Sequence, residues 1–307
     1  MIAVNGKINR SNGGRSFPPT FSDYEALRQR RIVDGERSFD TPLISVVTVT
    51  LNAARTLGRI VASVHAQTYP AIEHILIDGD STDATLDILK KRARPQDCFI
   101  SEKDRGISDA FNKGLALSCG EYVQIINADD WLSPDQLACA AESLFKTGAD
   151  FVFGDCICYE MGRAVFRSQG DADYASTIGR KMPTMNHPSM LVRRTTYERF
   201  GLFSLDFRYA MDYEWLARVH SQGATGVYDP RIVAHMSLEG QSLRHFTRTY
   251  RDVRDTAIMY GRHPLIAELE RQYQVAKTTM SKPLMRSCRP LYDAIRSTIN
   301  PSYRPIR

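Results

Sequence analysis

Residues 43–52, LISVVTVTLN, decide the fold. The run is apolar and β-branched along its length instead of alternating, the pattern of a strand buried on both faces of a sheet. It closes on two polar residues, Thr50 and Asn52. A helical stretch over 54–67 follows, then a second strand, HILIDGDS (74–81). The unit repeats: a helix over 83–92, the strand CFISEKD (98–104), a helix over 108–118 and the strand YVQIINADD (122–130). Strand-then-helix units in close succession predict a parallel, doubly wound sheet covered on both faces.

Outward from this block the texture changes. FVFGDCICYE (151–160) and AVFRS (164–168) read as a strand pair, SMLVRR (189–194) and GVYDPRIVAHM (226–236) as further strands, and 211–221 as a helix. The final 60 or so residues read as helical, ending in a tail punctuated by Pro301 and Pro305. Residues 1–40, broken by Gly13, Gly14, Pro18 and Pro19, read as a loosely held arm with one short helix near 24–31. The expected fold is α/β: a mostly parallel doubly wound sheet, a mixed second half and a helical C-terminal extension. The expected boundaries are 1–41, 42–243 (halves 42–132 and 133–243) and 244–307.

Composition narrows the function. The six cysteines show no CxxC pair and no paired His/Cys spacing, which argues against a zinc site or disulfide framework and for a reducing compartment. No apolar run reaches the roughly 18 residues of a membrane span, and the first residues lack a secretion signal's apolar core, so a cytoplasmic protein is expected. Residues 244–307 hold 13 Lys/Arg against 5 Asp/Glu, so the tail carries the positive balance of the +5 chain. Tyr250, Ile258, Leu265, Leu269, Tyr273, Leu284 and Leu291 interleave with its arginines. That suits either an anionic membrane surface or packing on the main domain. No nucleic-acid recognition motif accompanies the charge.

The polar residues gather where the strands end: Thr50 and Asn52, Asp78 and Asp80, Glu102 and Asp104, then Asn127, Asp129 and Asp130. In an open parallel sheet, ligands bind beyond the carboxyl ends of the strands. Carboxylates crowded there repel one another unless a cation compensates, and Mg²⁺ or Mn²⁺ is the simplest compensator. Residues 78–83 also suit turn and N-cap duty, Asp83 above all. With neither GxGxxG nor GxxxxGK[ST] present, phosphates are expected to be held through a metal.

Seven segments in order then resemble one family: ISVVTVTLNAARTL, HILIDGDSTDAT, SEKDRGISDAFNKGLALSCGEY, INADDWL, MPTMNHPSMLVRR, GLFSLDFRYAMDYEWLARV and SLEGQSLR. They look like the family 2 inverting glycosyltransferases of the GT-A fold, over about two thirds of the chain. The resemblance implies an enzyme that transfers a sugar from a nucleotide diphosphate, UDP above all, to an acceptor hydroxyl. It implies Asp78 at the nucleotide base with Thr50 and Asn52 lining that pocket beside Asp80. Asp104, Arg105, Gly106 and Asn112 would close over the nucleoside and sugar. Asn127-Ala128-Asp129 aligns with the family's acidic element, Asp129 binding the metal and Asp130 supporting it. Asp212 aligns with the catalytic base, and Gly240 and Ser242 with a loop near the diphosphate. Asn127 stands where many relatives carry Asp, and Met211 where many carry Glu. Assembly of a bacterial surface polysaccharide or glycolipid on a lipid-linked or saccharide acceptor, at the inner face of the plasma membrane, is what the resemblance implies about setting.

Several residues carry two readings. His187 faces the acceptor or is structural, and His235 assists the metal or is structural. Tyr213 and Trp215 offer a sugar-stacking face, or pack inward as the helical spacing of Trp215 with Leu216 and Val219 suggests. Lys113 is expected on a solvated helix face. Two rival functions share this architecture: a catalytically silent nucleotide-sugar-binding protein, and a sugar nucleotidyltransferase, which would show a Gly-rich basic loop where Leu51-Asn52-Ala53-Ala54 stands.

Overall fold

The structure is a computed structural model. It describes residues 10–12, 15–17, 24–29, 41–94, 97–179, 181–240, 244–300 and 302–306.

After a small hairpin, β1 (Arg10–Asn12) with β2 (Arg15–Phe17), the strand that opens the domain is β3 (Ile44–Thr50), buried at all seven positions. Its side chains divide by the period-2 rule. Ile44 and Val46 join Leu57, Ile60, Val61 and Val64 of α1 (Leu57–His65) on one face, while Val47 and Val49 meet Ala110, Phe111 and Leu115 of α3 (Ile107–Leu117) on the other. The two helices thus flank opposite faces of one strand, and each core forms because each face of β3 is apolar.

Around β3 lie β4 (Ile72–Asp78), β5 (Cys98–Ser101) and β6 (Tyr122–Asn127), all parallel. The helix between β4 and β5 is α2 (Thr85–Arg92). The order across the sheet is β5-β4-β3-β6, so the chain reverses its direction of travel between β3 and β6. Beyond β6 the sheet turns mixed. It continues through β10 (Leu191–Arg193), β8 (Phe151–Glu160), β9 (Arg163–Ser168) and β12 (Tyr303–Pro305), each neighbouring pair antiparallel. The long β11 (Gly226–Ser237) runs parallel to β8 and also pairs with the two-residue β7 (Trp131–Leu132). Helices α4 (Gln136–Thr147), α5 (Tyr174–Thr177), α6 (Arg194–Phe200) and α7 (Met211–Ser221) complete the domain.

The short helix expected near 24–31 and the helical C-terminal extension are both present, while most of the arm expected over 1–40 lies outside the described residues. The short helix at 24–29 docks: Tyr24 is buried in the core with Leu27 packed against it, and its hydroxyl donates to Glu102. The extension forms α8 (Phe246–Met259), α9 (Pro264–Ser287) and α10 (Arg289–Ile299), and then returns as β12 to lengthen the sheet at β9. Pro305 is tolerated because it sits on the edge strand at the last pair. Among the described residues no helix is long and apolar enough to cross a membrane.

Candidate active site

The reversal between β3 and β6 opens a crevice at the carboxyl ends of the strands, the place where such sheets bind ligands. Register sets its walls. Thr50 pairs with Asp78 across β3–β4, and Val49 with Asn127 across β3–β6. Asp78 and Asn127 are therefore two strands apart, roughly 10 Å at the usual spacing. Thr50 Oγ1 and Asn127 Oδ1 are buried there without a protein partner. Such orphans in a native fold point to a ligand or ordered water.

The β3 and β4 loops are laced together. Asn52, in the left-handed region at φ 50°, accepts the Thr82 N–H at 2.9 Å, and its own N–H donates to Ser81 Oγ at 2.7 Å. Asp83 caps the following turn, accepting the N–H groups of Thr85 (2.9 Å) and Ala54 (3.2 Å), which is the capping role its sequence suggested. Asp78 is fully buried, accepting the Ser81 N–H at 2.9 Å and the Ser101 hydroxyl at 2.7 Å. That corrects the expectation of a carboxylate facing a nucleobase, because here Asp78 builds the turn. Asp80 is exposed, with φ 71°.

The chain passes close at Gly79: a Cβ there would displace the Asp104 carboxylate. Asp104 Oδ1 accepts the Gly106 N–H at 2.9 Å, and burial pushes its carboxyl up against that bond. Gly106 takes φ 120° to start α3, and Arg105 turns outward to pair with Asp109 at 3.2 Å. Asn112 uses one N–H and its amide oxygen on the Phe203 backbone (2.9 and 3.0 Å), so it anchors a loop. Lys113 is buried, not solvated, and pairs with Glu102 at 2.7 Å.

Opposite lies the acidic element. Asp130 is buried and accepts the Ser237 N–H at 2.9 Å, tying the β6 end to β11. Burial and the neighbouring Asp129 push its carboxyl well up. Asp129 is half-buried and also raised, chiefly by burial, with Arg59 and Arg244 opposing. Arg59 donates to the Asp129 carbonyl at 2.9 Å and lays its guanidinium 3.5 Å from the Trp131 ring centroid. Gly240 sits against this carboxylate, a Cβ there coming within 3.4 Å of Asp129 Oδ2. Ser242 lies outside the described residues. His235 stacks flat on Trp131 (5.0 Å, 2°), and its Nε2 is engaged by Ser133 Oγ at 2.9 Å, leaving a buried Nδ1 without a partner. Carboxylate and amide oxygens in this setting fit a hard divalent cation, which Asp129, the more accessible of the two acids, would hold with Asp130 behind it.

One group of three ligand-type side chains, His65, His74 and Asp97, has its donor atoms within 4.8 Å of one another. It lies away from this crevice, and Arg94 already pairs with Asp97 at 3.2 Å.

On the first turn of α7, Asp212 Oδ1 accepts the Tyr213 N–H at 2.8 Å. Burial pushes its carboxyl up, and His187 pulls it down. His187 stacks on Phe111 (5.4 Å, 14°), with Nε2 buried and unpartnered. The structure thus brings His187 and Asp212 together, though they lie 25 positions apart in sequence with a helix between them. Trp215, three residues on from Asp212 along α7, points into the core. It is 2% exposed, its indole N–H donates to the Gly201 carbonyl at 3.1 Å, and it packs on Tyr197 and Phe203. Tyr213 is likewise buried, its hydroxyl on the Ile178 carbonyl at 2.8 Å. The helical spacing with Leu216 and Val219 pointed inward, and burial removes both rings as sugar platforms.

The Glycosyl transferase family 2 model matches residues 45–203, more than half the chain. The chain belongs to that family. This family 2 glycosyltransferase is 31% identical over 188 residues to a "PGL/p-HBAD biosynthesis glycosyltransferase" of Mycobacterium bovis, covering 60% of this chain and 72% of the relative. Its fold is that of solved GT-A enzymes. A mannosyltransferase from Pyrobaculum calidifontis, solved with GDP-Man and Mn²⁺, superposes with TM-score 0.58 at 19% identity, covering 91% and 87% of the two chains. Staphylococcus aureus TarS, solved with UDP, gives 0.53 at 16% identity over 73% and 68%.

Sequence reasoning missed three residues of the glycosyltransferase site. Arg59 lies in no motif and Arg244, the last residue of SLEGQSLR, was given no role; only the tertiary structure turns them toward Asp129. Asp252 on α8 was read as part of a basic tail, yet its Oδ2 accepts the backbone N–H groups of Arg208 (3.1 Å), Tyr209 (2.8 Å) and Ala210 (3.3 Å). Those residues lead directly into Asp212.

Proposed function

We propose that this glycosyltransferase moves a sugar from a UDP-sugar to an acceptor hydroxyl by single displacement with inversion, assisted by Mn²⁺ or Mg²⁺. The observation that carries the reading is Asp212, a carboxylate of raised proton affinity on the first turn of α7, beside an unpartnered imidazole nitrogen.

The chain's own residues supply most of the chemistry. Asp212 accepts the acceptor hydroxyl's proton as that oxygen attacks the anomeric carbon, an effect typically worth about 10²–10⁴-fold. Burial favours this, since a desolvated carboxylate gains more by taking a proton than a hydrated one. His187 holds the acceptor side, its buried Nε2 free to hydrogen-bond a sugar hydroxyl. The Asn52–Thr82 and Asp104–Gly106 turns line the nucleoside side, with Thr50 Oγ1 and Asn127 Oδ1 as unspent partners. Arg59, Arg244 and the Gly240 loop flank the diphosphate side. When bound at Asp129, a divalent cation supplies neutralisation of the charge that grows on the leaving diphosphate.

Uridine is favoured over guanosine by the family resemblance and by the UDP complex of TarS, while the GDP-Man complex of the archaeal enzyme keeps guanosine as the competing reading. A lipid-linked or saccharide acceptor in bacterial polysaccharide or glycolipid assembly is the setting proposed. A thermal-shift screen of UDP and GDP with and without Mn²⁺ tests the donor. Ligand bound only to the folded state raises the melting temperature by mass action. NMR of the transferred sugar's anomeric proton tests inversion. Retention of configuration, or metal-independent nucleotide binding, would contradict the proposal.

A further inference from the structure

Toward the amino ends of the strands, away from the crevice, three ligand-type side chains converge. His65 closes α1, His74 is the third residue of β4, and Asp97 stands just before β5. One donor atom from each lies within 4.8 Å of the others. His65 Nε2 is 3.1 Å from Asp97 Oδ2, and the two imidazole rings stand nearly perpendicular with centroids 6.2 Å apart.

The group that calls for a ligand is His74. Its side chain is fully buried, and its Nδ1 has no partner. Nε2 is engaged by Thr48 Oγ1 at 2.9 Å, on the β3 side of the ring. The two nitrogens of an imidazole face nearly opposite ways, so Nδ1 is turned to the β5 side, where Asp97 stands. With Thr48 accepting the Nε2 proton, Nδ1 keeps a lone pair, and such a bond on the far nitrogen is how metal-ligating imidazoles are fixed. Asp97 is fixed in a similar way. The Arg94 side chain binds Oδ1 at 3.2–3.3 Å and the Arg94 N–H binds Oδ2 at 2.7 Å, which holds the carboxylate with Oδ2 toward His65.

We propose that His65, His74 and Asp97 bind a zinc-type divalent cation. Two imidazoles and one carboxylate suit Zn²⁺ or Co²⁺, whereas the oxygen donors around Asp129 suit Mg²⁺ or Mn²⁺. With metal–ligand bonds of about 2.0–2.1 Å, tetrahedral ligands lie about 3.3 Å apart. The His65–Asp97 pair is already near that spacing, and the third donor closes by at most about 1.5 Å. The fourth position falls to water. His65 lines an open cavity of about 380 Å³ with Val61, Ala62, Ala66 and Arg92, which gives the ion its way in. The lack of paired His/Cys spacing spoke against zinc in the sequence, but these ligands come from three elements that only the fold joins. An ion here clamps α1 to β4 and to the turn between α2 and β5, a structural post away from the sugar chemistry.

The test is a Co²⁺ titration of the untagged full chain in excess Mg²⁺, which saturates the oxygen donors at Asp129. One equivalent is expected to bind with the intense visible bands of four-coordinate cobalt, to be displaced by Zn²⁺, and to raise the melting temperature. His65→Ala and Asp97→Asn should each weaken binding at least tenfold and cancel that rise, while Asp129→Asn changes neither. The His65 side chain is 23% exposed, so His65→Ala carries the test if circular dichroism shows Asp97→Asn misfolded. Failure to bind an equivalent of cobalt overturns the proposal, as does a weak six-coordinate spectrum. Binding indifferent to His65→Ala overturns it too, and assigns the cobalt to an adventitious surface site.

Discussion

Asp252 accepts the backbone N–H of Tyr209 at 2.8 Å, and through that carboxylate the C-terminal extension holds the loop that delivers Asp212. Three consecutive amides converge on one oxygen, an arrangement that binds an anion well. The extension is therefore part of how the site is built. Asp252→Ala should lower kcat by roughly 10- to 100-fold, since misplacing a catalytic group by an ångström costs on that order. Asp252→Asn, which keeps an acceptor oxygen, should recover much of the loss. Equal loss in both variants, or a loss confined to donor KM, would defeat the positioning role.

Asp212→Asn removes the proposed base while preserving shape. It should cost about 10²–10⁴ in kcat with donor KM little changed. Steady-state kinetics checks this, and near-normal turnover would remove Asp212 from the mechanism.

The pH profile follows from the same pair. Asp212 acts only when ionised, and burial lifts its carboxyl above the ordinary range. Activity should therefore rise with pH through a limb above that of a free aspartate. His187 pulls the Asp212 carboxyl down, so His187→Gln should move the limb to higher pH. An unmoved limb would separate the two residues.

His74 supplies a stability test remote from the site. It is fully buried, its Nε2 on Thr48 Oγ1 at 2.9 Å, and burial lowers its imidazole to about 3 from an ordinary 6.5. The folded state thus holds it neutral. Its contribution is complete above pH 6.5 and is lost as pH falls from there toward 3. At pH 5 the loss is about 2 kcal/mol, at 1.4 kcal/mol per unit. Urea unfolding of His74→Gln at pH 7 and pH 5 should show a smaller difference than wild type. An identical difference would exclude His74 as the cause.

Trp215 separates core from acceptor site. Trp215→Ala should cost about 3–5 kcal/mol of stability as a large-to-small core change. Trp215→Phe should lower the melting temperature modestly and leave acceptor KM intact. A large rise in acceptor KM for Trp215→Phe would return the ring to the sugar.

How far the sequence reached depended on the kind of information involved. The buried run at 43–52 and its three successors dictated the parallel sheet, because a strand covered on both faces needs apolar side chains at every position and few other environments do. The polar residues closing those strands marked the crevice, since register in a parallel sheet puts strand ends level. Other facts had no sequence signal. Asn112 and Asp78 look like ligand-binding residues in one dimension, and Lys113 like a solvated one. Only packing showed their polar atoms engaged by Phe203, the Ser81 turn and Glu102. Conversely, Arg59 and Asp252 look like ordinary surface charges until the folded chain carries them to Asp129 and to the Asp212 loop. Periodicity reports which side of an element is buried. Which partner a polar side chain meets is decided by residues far away in the chain, and only the tertiary structure brings those together.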